Sequence, residues 1–201
     1  MYRLEQWEEY VEGLSKRQMK ELLETIIPQY RKQEKEIRKE LMEVVEKVLE
    51  AYETAQKKEK KGKLKAIQFS YLNFSVQKGD FEIHIEAYDN SLYLNRYEVS
   101  GCWKAKMVYD FYEEYVTFLI KKCEQNVKDF SYKEKQELRK KAAFDFHMIT
   151  IRMIAEHAAG IMDLEIFQRL DVENQGIISF GGYRSESMPL CFWNLEKDEI
   201  G

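Results

Sequence analysis

The chain has 201 residues, of which 44% are hydrophobic and 13% aromatic, so it can bury a substantial core and is not a mostly disordered protein. Its 32 basic and 36 acidic side chains give a formal net charge of −4, which lacks the basic excess of a dedicated nucleic-acid binder. The first residues have no signal-peptide core, no apolar run reaches bilayer-spanning length, and the three cysteines are far apart. These features predict a cytoplasmic protein with free thiols, no membrane insertion and no nucleic-acid partner.

The first third of the chain is predicted to be helical. A short amphipathic helix precedes Gly13, and Ser15 with Gln18 matches the capping box that begins a new helix. Pro28 lacks a backbone donor and is expected to start or kink a helix. A long helix then follows from about 29 to 60, with a wide apolar stripe from Leu41 to Ala55.

This stripe must be buried against another surface. Thirty residues of helix extend about 45 Å, so the region 1–62 is expected to form a helical hairpin or a projection. Apolar side chains left near Pro28 and Tyr30, or near the lysine-rich end of the helix, would favour a homodimer through the N-terminal helices. The run from Lys57 to Lys65 holds six lysines, which is typical of a solvated helix end, with a phosphate or anionic-membrane contact as the alternative.

Beyond Gly62 the apolar residues alternate with a period of two, which predicts strands. Three strands are expected over 66–76, 81–88 and 92–99. Turns at 78–80 and at Asp89-Asn90 join them, so they should form an antiparallel meander.

Helical spacing returns from about 105 to 127. The next helix, capped by Asp129 or Ser131, is expected to run to about 170, and the segment 174–176 after it prevents the helix from continuing. Between 142 and 164 this helix is apolar around most of its circumference, which indicates that protein surrounds it. Its charged residues fall on one narrow stripe: Asp145, Arg152, Glu156 and Asp163.

Two short strands at 177–180 and 190–193 complete the pattern. The predicted fold class is therefore α+β, in a single domain over 1–201. It comprises long N-terminal helices, a small antiparallel β-meander, and a largely buried C-terminal helix packed on the sheet.

Glu82, His84 and Glu86 alternate along the second predicted strand and so share one face of the sheet. Carboxylate and imidazole at this spacing are a plausible metal donor set. A half-exposed strand with a solvated face has the same pattern, so no metal is assigned. The third predicted strand would add aromatic and polar groups typical of interaction surfaces, although cover by the N-terminal helix explains them equally well. These groups are Tyr93, Asn95 and Tyr97.

His147 and His157 lie on the apolar helix without a Glu-x-x-His motif, and are interpreted as core histidines. The cysteines have no pairing motif and are interpreted as small buried hydrophobes; they are Cys102, Cys123 and Cys191. The loop at Gly181-Gly182 lacks the Walker and dinucleotide fingerprints. It is interpreted as a strand connection, with an anion cradle formed by Arg184 and Ser185 as the alternative.

No complete catalytic set is found and no cofactor is predicted. The leading hypothesis is a non-catalytic cytoplasmic protein-binding module, such as a regulator, an adaptor or a toxin-neutralising immunity-type protein, that uses a Tyr-rich, mixed-charge surface. The alternative is an enzyme or small-ligand-binding protein with a pocket between the sheet and the helix bearing His147 and His157. The candidate partner or ligand face comprises Glu82, His84, Glu86, Tyr93, Tyr97 and Arg152.

Overall fold

The computed structural model describes residues 2–72, 75 and 81–195, with side chains from Trp7 onward. Its helices are α1 (Tyr2–Lys57), α2 (Lys106–Tyr109), α3 (Tyr112–Asn126), α4 (Tyr132–Ala158) and α5 (Glu165–Arg169). Its strands are β1 (Leu64–Tyr71), β2 (Glu82–Tyr88), β3 (Ser100–Lys104), β4 (Val172–Gly182) and β5 (Ser187–Asn194). Short 3-10 helices lie at Leu92–Leu94 and Ala159–Ile161.

The chain divides into two compact units. The first comprises Met1–Glu34 and Lys106–Thr150, and the second comprises Lys35–Ala105 and Ile151–Gly201. The sheet lies in the second unit, and α1 and α4 each contribute residues to both. The single-domain organisation stays a prediction. Among the described residues, no helix has both the length and the apolar character needed to span a bilayer.

α1 is one continuous helix of 56 residues with Pro28 inside it, so the separate helices predicted for this region are wrong. Ser15 does not cap a helix. The Ser15 hydroxyl is 2.7 Å from the Tyr115 hydroxyl and donates to Asp145 Oδ2 at 3.2 Å. The hydroxyl that a capping box would need is therefore engaged in tertiary contacts within the first unit. A continuous α1 also leaves no helical hairpin within 2–57.

In the second unit, α1 buries the apolar stripe predicted from the sequence. Leu41, Val45 and Leu49 are almost fully buried. A Cβ added at Gly101 in β3 would lie 2.8 Å from Val48 Cγ2, so the absence of a side chain at 101 lets the helix approach the strand closely. α1 therefore packs on the apolar face of the sheet.

The sheet has the strand order β3-β2-β1-β4-β5. β3, β2 and β1 form the predicted antiparallel meander, and β5 pairs antiparallel with β4. β4 pairs parallel with β1, which the sequence analysis did not predict. The strands β2 and β3 and the helices α2 to α5 lie between them in the chain, so the pairing depends on long-range contacts rather than on a local pattern. The fold is α+β, as predicted, with a mixed and mostly antiparallel sheet.

The third strand lies later than predicted. The Asp89 carboxylate accepts hydrogen bonds from Ser91 N at 2.9 Å and Asn95 Nδ2 at 2.7 Å, and Asn95 Oδ1 accepts one from Tyr97 N at 2.9 Å. These side-chain bonds keep 89–99 as a loop, and pairing resumes only at Ser100. The predicted turn at 78–80, and the predicted strand residues 73, 74 and 76, lie outside the described residues.

The central helices also differ in their bounds. The helix predicted over 105–127 is divided into α2 and α3, and α4 ends at Ala158 rather than near 170. Ser131 begins α4, because its hydroxyl accepts from Glu134 N at 3.3 Å while Glu134 Oε2 accepts from Ser131 N at 2.6 Å. The segment 174–176 lies within β4. That α4 packs on the sheet stays a prediction.

Candidate functional site

The two faces of the sheet differ sharply in chemistry. On β2, Ile83, Ile85 and Ala87 point to the apolar face, whereas His84 and Glu86 point to the opposite one. The strand register extends this polar face across the sheet. We call the following residues the polar face: Gln68, Ser70, Glu82, His84, Glu86, Tyr88, Ser100, Cys102 and Ser179.

Aromatic residues cover much of the polar face. The Tyr93 hydroxyl donates to Gln68 Oε1 at 2.7 Å, and the Tyr93 ring lies edge-on to Tyr88 at 5.1 Å. The Tyr183 ring lies edge-on to His84 at 5.4 Å. The solvated face expected from the alternation is therefore wrong for Glu86, which is only 2% exposed.

Several buried polar atoms on this face lack a hydrogen-bond partner within the described part of the chain. They are Gln68 Nε2, Ser70 Oγ, His84 Nε2, Glu86 Oε2 and Tyr88 OH. An unpaired buried polar group costs about 1–3 kcal/mol, so native proteins keep few of them. Their concentration on one face marks it as the strongest candidate site in the second unit.

A histidine and two carboxylates meet at the centre of this face. His84 Nε2 lies 3.8 Å from Glu86 Oε2 and 3.6 Å from Glu98 Oε1, distances that exceed a hydrogen bond. Burial on its own would raise the pKa of Glu86, but contact with His84 and Tyr88 and the charge of Arg184 lower it. Glu86 is therefore a buried group that favours its ionised form.

A cleft of about 260 Å³ opens beside these carboxylates. Lys61 lines it and is only 6% exposed, with its ammonium 5.9 Å from the Tyr52 ring centre and 5.8 Å from that of Tyr88. Burial lowers the pKa of Lys61, and the charges of Asp89, Glu86 and Glu98 oppose that shift. The cleft lining comprises Lys61, Glu86, Ala87, Tyr88, Tyr93, Asn95, Arg96, Glu98, Val99 and Arg184.

The structure brings together only some of the predicted face residues. His84, Glu86 and Tyr93 converge at the polar face. The remaining three lie apart from the cleft lining. Glu82 pairs with Lys104 at 3.3 Å, Tyr97 is exposed in the loop, and Arg152 is exposed on α4.

The histidines of α4 are both buried, as interpreted from the sequence, and neither lines the cleft. A ring nitrogen of His147 contacts the Tyr109 hydroxyl, and burial lowers the pKa of His147 to about 4. The cysteines are all free. Cys123 is buried, but the expectation of burial is wrong for Cys102, which is exposed beside His84 at the edge strand β3.

Sequence reasoning missed Lys61, Glu98 and Tyr88 as site residues. Lys61 was assigned with its neighbours to a solvated run, although it alone among the lysines of that run is buried. Tyr88 follows Glu86 by two positions, so the alternation along the strand predicts that both side chains lie on the same face. The position of Glu98 could not be predicted from the sequence, because it lies in the loop 89–99, where a strand over 92–99 was predicted instead.

A wider groove of about 790 Å³ lies in the first unit. Residues of α1 and α3 line it, including Tyr10, Arg17, Phe118 and Lys122. Every residue of its lining is exposed or half-buried, so the groove lacks the desolvated polar groups of the sheet face.

Comparison with protein-family models, curated proteins and solved structures finds no match to this chain. The chemistry of the site's own residues is therefore what indicates function.

Proposed function

We propose that the protein is a non-catalytic protein-binding module that recognises its partner with the loop 89–99 and the adjoining cleft. The observation that carries this proposal is a group of large exposed side chains in that loop. Leu94 is 88% exposed, and three neighbours are each more than 40% exposed: Leu92, Tyr93 and Tyr97. Contiguous exposed apolar groups rimmed by polar residues are typical of interaction surfaces.

The size of the cleft favours one side chain of a partner over an independent small molecule. Pockets for drug-sized ligands measure roughly 300–1,000 Å³, whereas this cleft measures about 260 Å³. A side chain that enters it would be anchored by apolar contacts around the cleft, which is the usual arrangement of an interface hot spot.

The charge of the cleft favours an acidic side chain from the partner. Three cationic residues line it against two carboxylates, and two of the cations are exposed: Arg96 and Arg184. Arg184 stacks over Tyr183 at 5.1 Å, an arrangement that holds its guanidinium in place. The partner is therefore a protein whose contact surface carries apolar residues around an aspartate or glutamate.

Site-specific photo-cross-linking tests this proposal. The full chain carries a photoreactive amino acid at Leu94 or, as the control, at Tyr132, which is 77% exposed on α4. We expect one discrete cross-linked protein from position 94 and none from position 132. The same products from both positions, or no product from position 94, would contradict the proposal.

A small polar ligand is the second candidate occupant of the cleft, favoured by the unpaired atoms Gln68 Nε2 and Tyr88 OH. A panel of small anions and zwitterions in a thermal-shift assay separates the two candidates. A ligand that raises the melting temperature of wild type and of Leu94→Glu equally, together with no cross-link from position 94, would favour the second.

Location in the cytoplasm, the lack of a nucleic-acid partner and self-association through α1 remain proposals. Most of the stripe expected to drive self-association is buried within the chain, and among the α1 side chains that the structure describes, from Trp7 onward, Ile27 is a large apolar one that is 51% exposed. Light scattering at two protein concentrations tests self-association, and a monomer mass at both would exclude it.

A further inference from the structure

We propose that His84, Glu86 and Glu98 bind a divalent transition-metal ion, for which Zn²⁺ and Mn²⁺ are the probes. This inference goes beyond the proposed protein binding and does not depend on it. Imidazole with two carboxylates is a donor set that these ions accept. The ligand atoms of the three residues all lie within 4.8 Å of one another.

The spacing of the donors fits one ion. Tetrahedral ligands held at the roughly 2.1 Å of a zinc bond stand about 3.4 Å apart. His84 Nε2 lies 3.6 Å from Glu98 Oε1 and 3.8 Å from Glu86 Oε2, both close to that spacing, and side-chain adjustment of the exposed Glu98 would bring the third pair of donors to it.

Unpaired buried atoms give independent support. His84 Nε2 and Glu86 Oε2 have no hydrogen-bond partner among the described residues, although Glu86 is 2% exposed. Tyr88, which is only 6% exposed, lies on the same face of β2 as Glu86. An ion on this face would supply the charge that a desolvated carboxylate needs.

The other nitrogen of His84 is already oriented. Its Nδ1 lies 3.6 Å from Cys102 Sγ, so the ring presents Nε2 to the carboxylates. Metal-ligating histidines usually have their second nitrogen held by a neighbouring group. Because Glu86 and Glu98 also line the cleft, the ion would keep positions open to water or to an acidic group that enters there.

Two cations near the site oppose a dication. Arg184 and Lys61 line the cleft together with Glu86 and Glu98. Both cations weaken the attraction of the site for a positive ion. We therefore expect modest, micromolar affinity rather than the affinity of a structural zinc site.

The test is calorimetric titration of the chelator-treated full chain with Zn²⁺ and with Mn²⁺. Wild type should bind one ion per chain with a Kd of micromolar order. Glu98→Gln should weaken binding at least tenfold, and because the Glu98 side chain is 48% exposed this variant should keep its fold. His84→Gln should weaken binding at least as much.

Glu82→Gln is the matched control, since Glu82 lies on the same strand and face but pairs with Lys104. Its affinity should equal that of wild type. Absence of binding by wild type at millimolar ion would overturn the proposal, as would unchanged binding in Glu98→Gln and His84→Gln. Equal weakening by Glu82→Gln would also overturn it. None of these outcomes bears on the cross-link from Leu94, so the two proposals fail separately.

Discussion

The Nε2 atom of His84 in β2 lies 3.6 Å from the Oε1 atom of Glu98, a residue of the loop that precedes β3. The site therefore depends on how that loop crosses the polar face. Asn95 holds the loop in place, because its Nδ2 donates to Asp89 Oδ2 at 2.7 Å and to Lys60 O at 3.1 Å.

The first prediction concerns this anchor. Asn95→Ala removes the two bonds that Asn95 Nδ2 donates to Asp89 and Lys60 and the one that Asn95 Oδ1 accepts from Tyr97 N. Each bond is worth about 0.5–1.5 kcal/mol. Because water replaces part of what is lost, the free energy of unfolding should fall by about 1–2 kcal/mol. Ser91→Ala is the control, since its backbone nitrogen makes the bond to Asp89. Urea unfolding measures both variants, and equal stability of the two would contradict the role given to Asn95.

The second prediction concerns two glycines. A Cβ at Gly176 in β4 would lie 1.9 Å from Trp193 Cζ2, whereas a Cβ at Gly13 in α1 meets nothing within 4 Å. Gly176→Ala should displace the Trp193 ring and cost about 1–3 kcal/mol, as overpacking does. Gly13→Ala should stabilise by about 1 kcal/mol, because alanine favours a helix over glycine. Thermal unfolding that shows both changes in the same direction would be inconsistent with this packing.

The third prediction concerns pH. The pKa of His147 is about 4 in the folded chain, against 6.5 as the ordinary value, because the ring is buried. At pH 7.5 and above, His147 is essentially neutral in both states and adds almost no pH dependence. As pH falls below 6.5 the unfolded chain binds a proton first, so the free energy of unfolding falls, by about 2.5 kcal/mol at pH 4.5.

The variant His147→Gln isolates this effect from other titrating groups. Between pH 7.5 and pH 4.5, wild type should lose about 2.5 kcal/mol more stability than the variant. Chemical unfolding at the two pH values measures the difference. Identical losses in wild type and variant would show that protonation of His147 does not drive the acid sensitivity.

Sequence patterns correctly predicted those helices and strands whose ends and faces are determined by residues close together in the chain. The alternation at β2 was predicted correctly, and of the two helix caps offered, Asp129 or Ser131, the structure has Ser131, because the period of two and a hydroxyl three residues before a glutamate act within a few residues. The capping box at Ser15 was wrong, because Tyr115 and Asp145 compete for the same hydroxyl from distant parts of the chain.

The candidate site was only half predictable for the same reason. His84 and Glu86 share a face by alternation alone. Glu98 and Lys61 reach the site through a loop and through the end of α1, so their positions depend on long-range hydrogen bonds such as that between Gly62 N and Asp89 Oδ2 at 3.1 Å.

The most direct test of the protein-binding proposal is the affinity of the partner identified by cross-linking for three purified forms of the chain. Burying one large aliphatic side chain is worth about 1.5–3 kcal/mol, so Leu94→Glu should raise the Kd at least tenfold over wild type. Tyr132→Glu, equally a change from an exposed hydrophobic residue to a charge, should leave the Kd unchanged. Equal affinity of wild type and Leu94→Glu for that partner would contradict the account.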